Sequence, residues 1–221
     1  MGKVLNTNYH TQINNKVLPY VTCGTTCLAS MLDWLNMQSG KEYPCDDDKV
    51  LEILNSAPII EIAQSMIKSG ALDSSALDYR ADNPNTPNVD EAKYTHLNNF
   101  KEMLVTVGNF ITKDSFIFQK NQLSFGDIKK SLDNNFPVTI SGKFTAGGHF
   151  ILLVGYDDEG NFIVDDPYGD WNSGYSQETI GKGAKLKYKA DSINQAVTFK
   201  APVNGIMCYQ IVSCRQGIIP G

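Results

Sequence analysis

No apolar run in this sequence is longer than Phe150–Val154 (FILLV), about a quarter of what a bilayer-spanning helix needs. Lys and Arg form no cluster. With 19 basic against 24 acidic side chains the formal charge is −5 and the pI about 5.2, which argues against a nucleic-acid or anionic-membrane surface. There is no CxxC pair and no Cys/His spacing typical of zinc, so neither a metal nor another cofactor is expected. The opening MGKVLNTNYH has no apolar core of a signal peptide, and Gly2 is followed by KVLN, which fails the myristoylation pattern. Synthesis in the cytoplasm without a signal is the expectation. Release by lysis or within a virion would leave no mark.

What is present is enough to build a core. The chain has 221 residues and 24.4 kDa, room for one large domain or two small ones. A composition of 42% hydrophobic and 10% aromatic residues excludes wholesale disorder. The five cysteines, Cys23, Cys27, Cys45, Cys208 and Cys214, are odd in number, so at least one is unpaired, and buried reduced thiols are the default. Histidine occurs only at 10, 96 and 149. The chemical question is whether one of these cysteines is a nucleophile and one of these histidines its base.

Residues 1–20 read as an extended polar lead-in ending at Pro19. Helical spacing then begins at Cys23 with Thr22 as N-cap, and Leu28, Met31, Leu32 and Leu35 form one buried stripe before Gly40 ends the helix. A second helical stretch is expected over 46–69, broken near Pro58, with Asp46, Asp47 and Asp48 as solvated acids favoured by its dipole rather than a metal site. The sequence DNPNTPNVD over 82–90 predicts a loop. From Phe110 onward strand-like segments dominate: SFIFQ, then a helix in SFGDIKKSLDNNF, then PVTISG, HFILLVGY, NFIVDDP, KLKYKA and CYQIV. Helices first and strands later is the order of an α+β domain.

Two segments carry chemistry. In TCGTTCLASML, Cys23 falls in the first turn of a helix, where the dipole favours thiolate, and Gly24 is expected to let substrate and backbone amides approach. In GGHFILLVGYDDEGNFIVDDPYGD, His149 opens an apolar strand that turns at DDEGN and returns. Asp166, seventeen residues on, is expected as its approximate neighbour across the hairpin, able to hold the imidazole tautomer. Nucleophile, base and orienter are thereby all supplied.

These segments resemble the papain-fold cysteine peptidases of the bacteriocin-leader-processing type, including their relatives among bacterial and phage cell-wall enzymes. The resemblance covers about residues 9–36 and 124–170 and includes the helix-then-PV strand in SLDNNFPVTISG. It implies Cys23 as nucleophile, His149 as base and Asp166 as orienter. It also implies a Gln that completes the oxyanion hole, for which Gln12 is the candidate; its spacing from Cys23 is longer than in papain-type enzymes, and Asn14 or Asn15 could serve instead. The implied architecture is a single α+β papain-like domain over 1–221. It has an N-terminal helical lobe, about 1–108, holding the nucleophile helix, and a C-terminal antiparallel sheet lobe, about 109–221.

Neighbouring residues compete for these roles. Cys27 sits on the face of Met31 and belongs to the core; Asp165 alternates away from Asp166; Asp157 and Asp158 are turn formers. His10 and His96 are expected in solvent-exposed polar loops, with His10 a remote rival base. Tyr168, Trp171 and Tyr175 either line the cleft or pack their loop. The expected activity is amide hydrolysis through a thioester acyl-enzyme, on a peptide or on a peptidoglycan cross-link in the manner of a phage lysin. Acyl transfer to an amine and a non-catalytic binding module are the rival classes. The binding module is favoured if the Cys23 sulfur lies beyond hydrogen-bond reach of His149.

Overall fold

The computed structural model describes residues 2–79, 91–113, 115–198 and 206–214. The loop expected over 82–90 lies outside them, as does the side chain of Cys214. In chain order the elements are β1 (Lys3–Val4), α1 (Cys23–Ser39), α2 (Asp47–Leu54), α3 (Ala57–Lys68), α4 (Lys101–Thr112), β2 (Phe116–Leu123) and α5 (Phe125–Asp133). There follow β3 (Val138–Gly142), β4 (His149–Tyr156), β5 (Phe162–Asp165), β6 (Leu186–Tyr188), α6 (Ala190–Thr198) and β7 (Ile206–Cys214). The order is helices first and antiparallel strands after, as read, although α4 carries helix to Thr112, past the boundary expected at 108.

The sheet runs β2-β7-β3-β4-β5-β6, with β1 on β4. The last strand, β7, is inserted between β2 and β3, a non-local pairing that no local pattern announces. β4 reads as an unbroken apolar run because both its faces are covered. Phe150, Leu152 and Val154 join the cluster around α1, and Ile151 and Leu153 join a second cluster with Ile128, Leu132, Phe162 and Val164. Helices α1 to α4 thus cover one side of the sheet, and α5 and α6 the other.

α1 is more buried than its predicted stripe. Every residue from Cys23 to Leu32 is buried, because the helix is walled by the sheet on one side and by α2 and α4 on others. Its polar side chains cope by bonding backwards: Thr25 Oγ1 donates to the Thr22 carbonyl (2.9 Å) and Ser30 Oγ to that of Thr26 (3.0 Å). Gly40, at φ 65°, ends the helix in the left-handed conformation as expected. The second helical stretch is two helices; the break falls at Asn55–Ser56, and Pro58 sits in the first turn of α3, where it costs no hydrogen bond.

Candidate active site

The mouth of α1 is arranged differently from the sequence expectation. Thr22 occupies the N-cap position but makes no side-chain cap; its hydroxyl donates to the Leu18 carbonyl (3.2 Å) and accepts from Asn15 Nδ2 (2.8 Å). The Thr22 side chain therefore leaves the first turn, the positive end of the helix, uncapped. Gly24 is also buried, so substrate does not approach over it. A Cβ there would stand 2.5 Å from the Asn98 carbonyl oxygen and 2.9 Å from Leu104 Cδ1. Glycine is required by the close packing of the 96–99 turn and α4 on α1. Gly24→Ala is accordingly expected to lower stability by about 1–3 kcal/mol. Urea unfolding at pH 7 reads this, and an unchanged midpoint would refute the packing account.

Cys23, in the first turn of α1, is 8% exposed at the floor of a cleft of about 770 Å3. His149 faces it from the first position of β4, close enough that thiol and imidazole each shift the other's hold on its proton. The ring's Nε2 donates to Asp166 Oδ1 at 2.7 Å, which leaves Nδ1 as the nitrogen on the thiol side. His149 is 5% exposed and Asp166 fully buried. The approach is diagonal rather than straight across the hairpin. Asp165 pairs with Leu152, so Asp166 falls level with Ile151, two residues short of His149, and a bulge near Gly155 sets that offset.

Asp166 is held from every side. Oδ1 also accepts the Tyr168 N–H (3.0 Å), while Oδ2 accepts the hydroxyls of Tyr188 (2.8 Å) and Tyr175 (3.1 Å). Its carbonyl accepts the Tyr9 hydroxyl (2.9 Å). The tyrosines at 9 and 188 have no signal in the sequence, because their partners are remote along the chain. Asp165 points away, accepting Thr7 Oγ1 (2.6 Å) and pairing with Lys185 Nζ (2.8 Å), as alternation requires. Tyr168 lines the cleft; Tyr175 sets its ring edge toward His149 at 5.8 Å; Trp171 packs on Phe144 and Tyr188 instead.

Gln12 begins a 3-10 turn, Gln12–Asn14, within what reads as a formless lead-in. It is 1% exposed, lines the cleft with Cys23, and donates from Nε2 to the Pro19 carbonyl (2.9 Å). Swapping its amide atoms would place two oxygens in contact, so Pro19 fixes which atom is nitrogen. Asn15 is spent on Thr22 and Thr26, away from the cleft. α6, to which the sequence reading assigns no element, adds Ala196 and Val197 to the far wall.

The electrostatics follow from this geometry. Burial opposes charge on Cys23, but the His149 charge, its hydrogen bond and backbone hydrogen bonds with Phe150 and Gly24 outweigh it and bring the thiol below 9.0. Burial likewise opposes charge on His149, yet Asp166 and the Cys23 sulfur hold the ring up to about 10. The thiol is thereby shifted toward thiolate beside a ring that keeps its charge. Cys27 goes the other way: burial and the neighbouring Cys23 push it well above the ordinary value, as suits a core thiol. Cys45, partly exposed, is also raised by burial and Asp33.

Iodoacetamide at pH 7 should therefore label Cys23 before Cys45, and labelling first at Cys45 would contradict the ion pair. The activity should persist until the imidazolium is lost near pH 10. Linkage has the same sign: the raised His149 value stabilises the fold fully below pH 6.5, and that contribution disappears as pH rises through about 10.

The remaining candidates are placed elsewhere. His10 is half-buried against Asp33 and Asp47 rather than in solvent, and His96 is half-buried too. Of the three acids, Asp46 caps the Lys49 N–H (3.0 Å), Asp47 faces His10, and Asp48 accepts the Lys16 and Val17 N–H groups. Asp46 is thus the exposed cap acid expected, whereas Asp47 and Asp48 are engaged by the lead-in, which folds back over the start of α2. Asp157 forms its turn by accepting the Asn161 N–H (2.8 Å). Among the described residues no group of three His, Cys, Asp or Glu is placed to hold a metal, and no single helix is long and apolar enough to cross a membrane.

A thiol at a helix N-terminus, faced by an imidazole from a sheet whose Nε2 meets a buried carboxylate, belongs to the papain-like class of cysteine peptidases. Residues 4–195 match the sequence model of the Peptidase C39-like family, and the chain is a member of that family. A crystal structure of a C39-like peptidase from Bacillus anthracis shares the fold: TM-score 0.56 at 17% identity, covering 96% of this chain and 98% of that one. No curated protein matches the chain.

Proposed function

We propose that this peptidase cleaves amide bonds through Cys23, His149, Asp166 and Gln12. The Cys23 thiolate attacks the scissile carbonyl carbon, and the carbonyl π electrons move to oxygen. That oxyanion is met by the Cys23 N–H, at the open first turn of α1, and by Gln12 Nε2. As the C–N bond breaks, the proton on His149 Nδ1 passes to the leaving amine, giving a thioester and a neutral imidazole. Water then gives its proton to Nδ1 and attacks the thioester, releasing the acid and restoring the ion pair. Asp166 keeps Nε2–H donated throughout, which supports the charged ring at each turnover. The observation that carries this reading is the single imidazole that reaches Cys23 and Asp166 at once.

The substrate is a peptide, and a carboxylate-bearing peptide such as the stem of peptidoglycan is the finer reading. What supports it is the lining of the cleft, which includes Lys101 and Lys143 and, among the described residues, no Asp or Glu. In a chain with excess acid this mouth attracts anionic groups. Purified peptidoglycan and a peptide library containing acidic and basic members should be incubated with the enzyme, and new termini identified by mass spectrometry. Cleavage confined to library peptides rules out the wall substrate. A preference for basic members rules out the anionic reading.

A further inference from the structure

We propose that residues Thr7 to Gln12 are a splint stitched between the two layers, in which His10, bridging Asp33 and Asp47, is a positioning residue that holds Gln12 at the cleft. The proposal rests on Gln12 serving as the oxyanion donor. Alternate side chains of this segment go to opposite sides, as an extended chain permits. On the sheet side, Thr7 Oγ1 donates to Asp165 Oδ2 (2.6 Å), the Tyr9 hydroxyl to the Asp166 carbonyl (2.9 Å) and Thr11 Oγ1 to the Pro167 carbonyl (2.9 Å). Three consecutive residues of the catalytic turn, 165 to 167, are thus gripped in register. On the helical side, Asn8 Nδ2 donates to Asp33 Oδ2 (2.9 Å), and His10 Nε2 reaches the same oxygen (3.1 Å). His10 Nδ1 stands 3.4 Å from Asp47 Oδ1.

Both nitrogens of one imidazole facing carboxylates has a chemical consequence. A neutral ring has a single N–H, so its bare nitrogen would set a lone pair against a carboxylate; the imidazolium instead hydrogen-bonds Asp33 and sets its charge at ion-pair distance from Asp47. The ring is 17% exposed and its partners 19% and 11%, so water screens the trio only partly. In agreement, Asp47 and Asp33 overcome burial and hold the ring charged to about pH 9. The cation joins α1, through Asp33, to the first turn of α2, through Asp47, and neither carboxylate lies in the cleft. Two residues later the Gln12 N–H donates to the Pro167 carbonyl (3.0 Å). Gln12 therefore has its backbone fixed to the catalytic turn and the chain before it fixed to the nucleophile helix.

A double-mutant cycle tests this. The wild type, His10→Ala, Gln12→Ala and the double variant are compared for kcat and KM on a cleaved peptide, together with iodoacetamide labelling of Cys23. Gln12→Ala should lower kcat about 10²–10³-fold. His10→Ala should lower kcat roughly tenfold with KM little changed, yet add no more than about twofold on top of Gln12→Ala. Labelling of Cys23 should be unaffected, and His10→Lys, which keeps a cation between the carboxylates, should recover part of the loss. An equal loss in both backgrounds, slower labelling, or no loss from His10→Ala overturns the splint while leaving the oxyanion role of Gln12 intact. A harmless Gln12→Ala removes that role and the splint with it. If His10→Ala does not fold, Asp47→Asn carried through the same cycle gives the same discrimination.

Discussion

Cys23→Ala should abolish peptide hydrolysis, with kcat/KM falling at least about 10³-fold, while binding of a cleavable peptide is retained. The size follows from what is lost. Without the sulfur there is no thioester, and the imidazole, still raised by Asp166, has lost the thiolate it was paired with. His149→Ala should be about as damaging, because burial alone would return Cys23 to the neutral thiol. The double variant should be scarcely worse than either single one, since nucleophile and base act as a unit. Single-turnover kinetics with a chromogenic peptide amide would show this. A Cys23→Ala variant within about tenfold of wild type would remove the covalent mechanism altogether.

Asp166→Ala should cost stability as well as activity, and more of it than a catalytic substitution usually does. The carboxylate is fully buried and accepts from His149, Tyr168, Tyr175 and Tyr188. Alanine would strand those donors and leave the His149 charge without its counter-ion, a loss of about 3–5 kcal/mol and a drop in Tm of roughly 6–20 °C. Asp166→Asn separates the two roles. The Tyr168 N–H and His149 both donate to Oδ1, so the amide must place its oxygen there. Its nitrogen then meets the two tyrosine hydroxyls, which can turn to accept. The Asn variant should therefore keep the fold and more activity than Ala, with its alkaline limb moved below the wild-type value near 10 because the ring has lost its counter-charge. Calorimetry beside a pH–rate profile distinguishes these outcomes. Equal Tm values for Ala and Asn would mean that the hydrogen bonds around Asp166 do not support the fold.

How much of the site could be read from the chain alone depends on how local each signal was. Cys23 announced itself through a helix start and His149 through an apolar strand after two glycines. Asp166 was legible because a hairpin brings nearby sequence together. The register was not: the hairpin's pairing leaves Asp166 out of step with His149, and a bulge near Gly155 takes back one residue, so the two meet diagonally on one face. Gln12 was named only by resemblance, and what fixes it, the Pro19 carbonyl and the splint through His10, is a matter of loop geometry without period. The reading of Gly24 as an opening for substrate failed because a glycine's lack of Cβ looks the same whether substrate or the Asn98 carbonyl takes the space. Likewise α6 and the placement of β7 between β2 and β3 are decided by remote partners.

With histidine at only three positions and no long apolar run, local periodicity and composition were enough to determine a layered α+β chain with a thiol at a helix start and an imidazole at the start of a strand. Tertiary structure alone decided that two of those histidines face buried or half-buried carboxylates, His149 with Asp166 at the chemistry and His10 with Asp33 and Asp47 behind it. The reason is physical: hydrophobic periodicity is written between residues a few positions apart, whereas the charge a buried imidazole carries is set by groups that only folding brings within hydrogen-bond reach.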